Sequence, residues 1–284
     1  VSVNDLYEID AASNRGIDEI REIRDAVHTY PYSSKYKVYI VDEAHMLTKE
    51  AWNAFLKTLE EPPKHVIFIM ATTEPHKLPD TMVSRCECFA FKKPTHQMLI
   101  ESVIRVCKEE KNEIEKRSAS LIATLADGSF RDALSILQKI INSSADKKLS
   151  HAEVEKVLGA PKVDFILEVL ESITEQNAEK GIGAVRKAGE ENADMQVFLK
   201  MILRSLRFVL LLRFSNTKEI KDLIIDETGE EEFEKLSELA KTAKNINSKT
   251  LLAFLEAYSR QAYASIPELP IELAIIDSCG INKE

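Results

Sequence analysis

Short strand-like segments alternate with helical segments up to Pro94, and only helical patterns follow. The strand-like segments are rich in β-branched and aromatic residues, and the helical ones lie between them. This alternation is typical of a parallel, doubly wound sheet with helices against it. Strands are predicted at DLYEID (5–10), KVYIVD (37–42), HVIFIMATT (65–73) and CECFAF (86–91), and helices at Asp18–His28 and Thr48–Glu60.

The second predicted helix has a clear apolar face. Apolar residues recur at i, i+3, i+4 and i+7, which places them on one side of a helix that is buried against the sheet. Thr48 precedes the helical residues and is the expected N-cap. The apolar positions are Trp52, Phe55, Leu56 and Leu59.

Composition excludes several classes of protein. The 284 residues are 44% hydrophobic and 30% charged, which suits two or three compact domains. The net charge of −9 argues against attraction to nucleic acid over the whole surface, although a local DNA-facing patch remains possible. No signal peptide is visible, and the four cysteines match neither a disulfide framework nor a four-ligand zinc site. We therefore expect a cytoplasmic protein without a membrane partner.

The change of pattern near Pro94 predicts three domains. Residues 1–94 form the α/β domain, 95–160 a small helical domain and 161–284 a larger helical domain. Within the last of these, VFLKMILRSLRFVLLLRF (197–214) carries four basic residues and is too interrupted to span a membrane. Its apolar stripe fits either packing between subunits, which we favour for part of that surface, or burial in its own domain. The stripe consists of Phe198, Ile202, Leu206, Val209 and Leu210.

Two adjacent carboxylates, Asp42 and Glu43, directly follow the apolar strand KVYIV. Ligands of parallel sheets bind at the carboxyl ends of the strands, so these carboxylates stand where a phosphate group would lie. In nucleotide hydrolases an aspartate here helps to hold Mg²⁺, and a neighbouring glutamate orients or deprotonates the attacking water. The alternative is a helix N-cap followed by an acidic first turn. These two residues alone leave both interpretations open.

Three further residues fit a nucleotide site. Thr73 ends the strand HVIFIMATT and could reach the same water or a γ-phosphate; Arg85, in SRC, could act on a nucleotide bound by a neighbouring subunit. Arg131 lies in the first turn of a helix that Ser129 is expected to cap. A cation there opposes the helix dipole, which suggests a compensating role such as a phosphate contact. A strand-ending threonine and solvated surface arginines are the ordinary alternatives.

Five motifs, in this order and spacing, closely resemble the gamma/tau subunits of bacterial DNA polymerase III. They are EIDAASNRGIDEIR, KVYIVDEAHML, NAFLKTLEEPP, ATTEPHKLPDTMVSRC and GSFRDALSILQ. Members of that family are AAA+ ATPases and the motor subunits of the sliding-clamp loader. The resemblance covers most of the first 160 residues, and the remaining helices are similar to the family's collar domain with weaker motifs. It implies a partial AAA+ core followed by an all-α lid and an all-α collar.

The resemblance also implies a role for each site residue. Asp42 of the Walker B motif VDEAH would hold Mg²⁺, and Glu43 would be the catalytic base acting on ATP. Thr73 would be sensor 1, Arg85 the arginine finger acting in trans, and Arg131 sensor 2.

Partners follow from the same resemblance. They would be the delta and delta prime subunits and further gamma/tau copies in a pentamer, together with the sliding clamp and primed DNA. In related clamp loaders the starts of two helices face the DNA backbone, through side chains or helix N-terminal N–H groups. The matching positions here are Asn14, Arg15, Thr48 and Lys49, for which capping and solvation are the alternatives.

One departure from the family is large: the sequence contains no GxxxxGK[ST] phosphate-binding motif. We therefore expect a fragment that is inactive alone, although the intact parent is an ATPase. In this family the strand before that motif lies between the strands matching HVIFIMATT and CECFAF. Without it, two strand edges lose their partners, and we expect the first domain to be rearranged, loosened or completed by another chain.

Two other functions remain open. The chain could be a noncatalytic scaffold of the clamp loader that contributes only an arginine finger and a collar surface. The motifs DEAH and ATT also occur in superfamily 2 helicases, but the QxxGRxGR-like arginine motif of those enzymes is missing.

Overall fold

The computed structural model describes residues 3–14, 16–144, 146–215 and 217–280. They fall into two compact units, Val1–Phe91 and Lys92–Glu284. The first contains a parallel sheet with helices, and the second is almost entirely helical. The predicted fold class, a parallel α/β sheet followed by all-α regions, is confirmed.

The first unit is built on a three-stranded parallel sheet in the order β1 (Leu6–Asp10), β2 (Lys37–Asp42), β3 (Val66–Met70). Its central strand pairs on both sides, so that Val38 lies opposite Leu6 on one neighbour and Ile67 on the other. The elements are β1 (Leu6–Asp10), α1 (Ile17–Ala26), β2 (Lys37–Asp42), α2 (Lys49–Glu60), β3 (Val66–Met70) and α3 (Asp80–Val83).

Helix α2 forms as its periodicity predicts. The Thr48 hydroxyl caps it by accepting a hydrogen bond from the Ala51 N–H at 3.2 Å. Trp52 and Phe55 are buried, and the Phe55 ring meets the Phe68 ring of β3 edge to face at 5.1 Å between centroids. This packing fixes α2 against the sheet, in which the parallel pairing of β2 with β3 places their ends side by side.

The predicted strand CECFAF is wrong: residues 86–91 have no strand structure, and Phe89 and Phe91 are 72% and 96% exposed. A segment forms a strand only where a neighbouring strand makes hydrogen bonds with its backbone N–H and C=O groups. In the described ranges no strand pairs with the outer edge of β3, and Ile67 and Ile69 of β3 are exposed. The strand that the family places between β3 and this segment is not among the strands of the described ranges, so residues 86–91 have no neighbouring strand to pair with, and the outer edge of β3 stays unpaired.

The second unit consists of helices joined by short turns. Two strands of two residues each, which the sequence pattern did not reveal, pair in parallel within it. The elements are α4 (His96–Glu109), β4 (Glu113–Ile114), α5 (Lys116–Leu125), α6 (Phe130–Ser143), β5 (Lys148–Leu149), α7 (His151–Leu158), α8 (Val163–Glu175), α9 (Ala178–Glu190), α10 (Met195–Phe214), α11 (Lys218–Thr228), α12 (Glu230–Thr242), α13 (Ser248–Gln261) and α14 (Leu269–Ser278).

The apolar stripe of α10 is buried inside its own unit. Phe198, Ile202, Leu206 and Val209 are all inaccessible to solvent, and α10 packs against α8, α12 and α13. The stripe is therefore a core element, and our preference for packing between subunits is wrong at these positions. None of the helices in the described ranges is long and apolar enough to cross a membrane.

Candidate active site

The candidate site begins where β2 ends. Asp42 is exposed at the last position of β2, and its Oδ1 accepts a hydrogen bond from the Glu43 N–H at 2.9 Å. Glu43 adopts a left-handed conformation with φ of 47°, which is uncommon for a residue with a side chain. The chain turns sharply there, and the Ala44 N–H donates to the Ala71 carbonyl after β3 at 2.9 Å. This bond fixes the loops after β2 and β3 to each other.

Thr73 lies in the second of these loops, and its hydroxyl donates a hydrogen bond to Oε2 of Glu43 at 3.2 Å. The two residues are thirty positions apart in sequence, so the contact exists only because β2 and β3 are adjacent and parallel. The structure thus brings together three of the predicted residues, Asp42, Glu43 and Thr73. Two carboxylates and a hydroxyl at the carboxyl ends of neighbouring strands suit a phosphate or cation ligand.

A histidine that the site prediction missed completes this cluster. His45 is nearly buried, with a side chain 7% exposed. Its Nδ1 lies 3.0 Å from Oγ1 of Thr72 and 3.2 Å from Oε2 of Glu43, and its Nε2 lies 3.2 Å from Oε2 of Glu74. The ring therefore joins the loops after β2 and β3 and helps to orient Glu43. The position of His45 in the DEAH motif is the sequence signal that could have revealed it. Its contacts with Thr72 and Glu74, however, come from the loop after β3.

Glu74 remains ionised beside this histidine. A hydrogen bond from Lys77, at 2.7 Å, is the main cause that lowers the pKa of Glu74, and the positive charge of the Lys77 ammonium group adds to it. Partial burial acts in the opposite direction and is outweighed. The carboxylate of Glu74 is thus held in its charged form by a lysine of the short turn that follows it.

Arg85 follows α3 and is held within its own chain. Its guanidinium forms an ion pair with Oε1 of Glu60 at 2.9 Å and donates a second hydrogen bond to the Thr81 carbonyl. Glu60 is the last residue of α2, so this pair connects α3 to α2. A role in a neighbouring subunit's site requires Arg85 to leave Glu60.

Arg131 lies in the second unit, in the first turn of α6. Ser129 caps this helix, as predicted, by accepting a hydrogen bond from the Asp132 N–H at 3.1 Å. Before the cap, Asp127 and Gly128 both have positive φ, 51° and 78°. Arg131 is exposed, and no acceptor among the described residues pairs with its guanidinium. It is available for a ligand outside the chain.

The predicted DNA-facing residues have local structural roles in this chain. The side chain of Asn14 donates a hydrogen bond to the Asp10 carbonyl at 3.1 Å and so closes the turn after β1. Thr48 caps α2, and Lys49 is an exposed residue in its first turn. Arg15 lies outside the described residues.

A magnesium ion would find a partial ligand set here. Among the described residues there is no group of three or more metal-ligating side chains. Mg²⁺, however, is usually bound by one or two carboxylates together with water and substrate phosphates. The exposed Asp42 carboxylate, next to Glu43, is compatible with that arrangement, while the phosphate-binding motif is absent from the sequence.

Three family models match the chain in succession. Residues 2–95 match the DNA polymerase III delta subunit, 100–146 the ATPase lid domain of the DNA polymerase III clamp-loader subunit, and 149–281 domain III of the gamma and tau subunits. The fold, the strand-end cluster and these matches define a clamp-loader subunit of DNA polymerase III. The chain belongs to the gamma/tau family of these subunits.

Similar proteins agree with this assignment. The chain is 36% identical over 289 aligned residues to the DNA polymerase III tau subunit of Bacillus subtilis, covering all of this chain and 49% of that protein. It is 37% identical over 211 residues to the tau subunit of Escherichia coli, covering 74% of this chain and 33% of that one. It therefore spans about half or less of these relatives.

Among solved structures, the alignment with the Bacillus subtilis clamp-loader delta protein covers 98% of this chain and 86% of that protein, at a TM-score of 0.42 and 13% identity. A gamma subunit-related protein of Thermotoga maritima covers 99% and 84%, at a TM-score of 0.39 and 18% identity.

Proposed function

We propose that this chain supplies part of the ATP hydrolysis site of a clamp-loader motor subunit, which couples ATP binding and hydrolysis to the loading of a sliding clamp on primed DNA. One observation carries the proposal. The hydrogen bond from Thr73 to Glu43, beside Asp42, lies at the carboxyl ends of two adjacent parallel strands. A cluster in that position favours chemistry on a bound phosphate group.

Each residue has a definite role in this proposal. Asp42 would hold Mg²⁺, which when bound would neutralise charge on the phosphates. Glu43 accepts a proton from the attacking water, and Thr73 and His45 keep its carboxylate oriented. Arg131 contacts a phosphate of the same nucleotide. Arg85 acts on the nucleotide of a neighbouring subunit after release from Glu60.

The assembly follows from the family. We propose that residues 95–160 act as the lid and 161–284 as the collar in a cytoplasmic pentamer with delta, delta prime and further gamma/tau copies. The pentamer would open the sliding clamp, and Asn14, Thr48 and Lys49 would contact the backbone of primed DNA. A helix N-terminus supports the last assignment, because its free N–H groups can bind phosphate.

The decisive variant is Glu43→Gln in the complete subunit, assembled with its partner subunits. Glutamine keeps the size and hydrogen bonding of the side chain but cannot accept the proton. We expect ATP binding to be retained and hydrolysis to fall by at least about 100-fold. Glu50→Gln, on the exposed first turn of α2, is the matched control and should hydrolyse ATP normally. Normal hydrolysis by the Glu43→Gln variant would refute the proposed role.

A noncatalytic scaffold is the second candidate function for the 284-residue chain by itself. It is favoured by the lack of a GxxxxGK[ST] motif in the sequence, and such a scaffold would contribute only the arginine finger Arg85 and a collar surface. Titration of the chain with a fluorescent ATP analogue and Mg²⁺ separates the two cases. Saturable binding at micromolar concentration would exclude the scaffold role. Absence of binding would support it for this chain and leave hydrolysis to the complete subunit.

A further inference from the structure

Lys200 joins α10 to the end of α5. Its side chain is half-buried on α10, and its Nζ donates a hydrogen bond to the Leu125 carbonyl at 3.0 Å. Leu125 is the last residue of α5, where the final carbonyl groups of a helix have no partner within the helix. The lysine supplies the missing donor, and a cation is favourable at this negative end of the helix dipole.

The turn that Lys200 holds leads directly to Arg131. After Leu125 come Asp127 and Gly128, the two consecutive residues with positive φ, and then the Ser129 cap of α6. The chain thus reverses over a few residues between a carbonyl fixed by α10 and the first turn of α6. A shift of Leu125 relative to α10 would therefore alter the direction in which Arg131 projects.

Charges around the turn reinforce the contact. Burial lowers the pKa of Lys200, and the carboxylates of Asp127 and Asp132 partly oppose this effect by favouring the ammonium form. Asp127 lies in the turn and Asp132 directly follows Arg131. The ammonium group of α10 is thus attracted to both sides of the turn, in addition to its hydrogen bond.

Two other contacts attach α5 to α11, the helix that follows α10. The Ser120 hydroxyl donates to the Glu227 carbonyl at 2.9 Å, and Lys116 pairs with Asp226 at 2.7 Å. Both partners lie on α11. The start and middle of α5 are therefore held by α11, and its end by Lys200 of α10, so α5 is connected to the second half of the unit along its length.

We propose that Lys200 is a positioning residue for Arg131, which transmits movements of α10 to the nucleotide contact. This inference rests on the proposed role of Arg131 in binding ATP. It assigns to α10, a core helix of the proposed collar, an influence on nucleotide affinity through one lysine. Lys200 itself touches no nucleotide.

Hydrogen exchange in the 284-residue chain tests the structural part without any nucleotide. Lys200→Met removes the ammonium group and keeps the apolar length of the side chain. We expect faster exchange of the Ser129 and Asp132 amides, which are bonded within the turn, and unchanged exchange in α8 and α9. Lys200→Arg should restore slow exchange. Lys180→Met, at a partly buried lysine on α9 paired with Glu171, is the matched control.

The result that overturns the inference is equally specific. Unchanged exchange in the turn of the Lys200→Met variant would show that the lysine does not hold it. Equal acceleration throughout the second unit would show a general structural role instead. Should the methionine variant fail to fold, Lys200→Gln provides the same test, because its side chain is polar but too short to reach Leu125.

ATP binding by the complete, assembled subunit tests the functional part. We expect Lys200→Met to weaken ATP binding about tenfold, comparable with Arg131→Ala, and the double variant to be no weaker than either single one. Additive losses would refute action through Arg131. If Arg131→Ala binds ATP normally, the proposed role of Arg131 fails, and the exchange experiment still decides whether Lys200 holds the turn.

Discussion

The hydroxyl of Thr73 donates a hydrogen bond to the carboxylate of Glu43 at 3.2 Å, across the ends of two adjacent parallel strands. If Glu43 is the catalytic base, Thr73→Val should reduce ATP hydrolysis by the assembled complete subunit by about ten- to a hundredfold. The reason is that a hydrogen bond to a charged group contributes about 1.5–3 kcal/mol. ATP affinity should not change. Thr81→Val, at an exposed position in α3, is the control, and a Thr73→Val variant with normal hydrolysis would contradict the prediction.

A buried ion pair in the second unit leads to a prediction about stability. Arg204 of α10 and Glu232 of α12 pair at 3.1 Å, with side chains only 10% and 6% exposed. Glu232→Ala leaves a buried, unpaired guanidinium and should lower the free energy of unfolding by about 3–5 kcal/mol. Urea denaturation measures this loss. Glu231→Ala, one residue earlier at a site 82% exposed, should cost about 0–1 kcal/mol.

A double variant separates the net contribution of the Arg204–Glu232 pair to stability from the cost of leaving one buried charge unpaired. Replacing both residues by apolar ones, Arg204→Met with Glu232→Leu, removes the unpaired charge and should recover most of the stability. Nε of Arg204 has no partner among the described residues, so its replacement removes one unsatisfied donor as well. A double variant as unstable as Glu232→Ala would show that shape, and not charge, determines the loss.

Periodicity and strand-end position made much of the site predictable. The strands before Asp42 and Thr73 are continuous apolar runs, and parallel strands bring their carboxyl ends together, so these residues were expected to be close. The cap at Thr48 and the buried face with Trp52 and Phe55 follow from local rules in the same way.

Features that depend on distant partners escaped prediction. CECFAF has the composition of a strand, but a strand also needs a neighbour, and composition does not supply one. Glu232 lies in an acidic run that suggests a solvated helix face. It is nevertheless buried, because it forms an ion pair with Arg204, which is 28 residues away in sequence. The partners of His45 and Arg85 are tertiary contacts of the same kind.

A buried carboxylate in the first unit predicts a dependence of stability on pH. Asp5 is inaccessible to solvent and accepts hydrogen bonds from the N–H groups of Tyr32, Ser33 and Ser34. Burial raises the pKa of Asp5, but these hydrogen bonds together outweigh burial and lower it from 3.8 to about 2. The charged form is therefore favoured by folding. Its contribution is complete above about pH 4 and is lost as the pH falls through about 2.

Asp5→Asn tests this account in the 284-residue chain. The amide cannot carry the charge, so the difference in unfolding free energy between the original chain and the variant should be largest above pH 4 and shrink towards pH 2. Urea denaturation at several pH values measures it. Asp25→Asn, at a carboxylate 72% exposed, should show only a small difference at any pH. A constant difference for Asp5→Asn across this range would contradict the role of its charge.

Two glycines of α9 should respond in opposite directions to the same substitution. A Cβ at Gly181 would lie 2.4 Å from Oγ of Ser172 and 2.9 Å from Cγ2 of Ile275, whereas a Cβ at Gly183 would meet nothing within 4 Å. Gly181→Ala must therefore displace the side chains of Ser172 and Ile275, or the helices that carry them, and should cost about 1–3 kcal/mol of unfolding free energy. Gly183→Ala should stabilise the chain by about 0.5–1 kcal/mol, because alanine loses less backbone entropy in a helix.

Comparing the Gly181→Ala and Gly183→Ala variants is a controlled measurement of packing, because both make the same glycine-to-alanine change in the same helix. Overpacking at Gly181 opposes the gain in helix propensity that both variants share, so the difference between their unfolding free energies reports how closely α9 meets its neighbours. Urea denaturation of the two variants gives this difference directly. Equal stabilisation by both would mean that Ser172 and Ile275 move aside at no cost, and that the contact of α9 with α8 and α14 is looser than the described geometry.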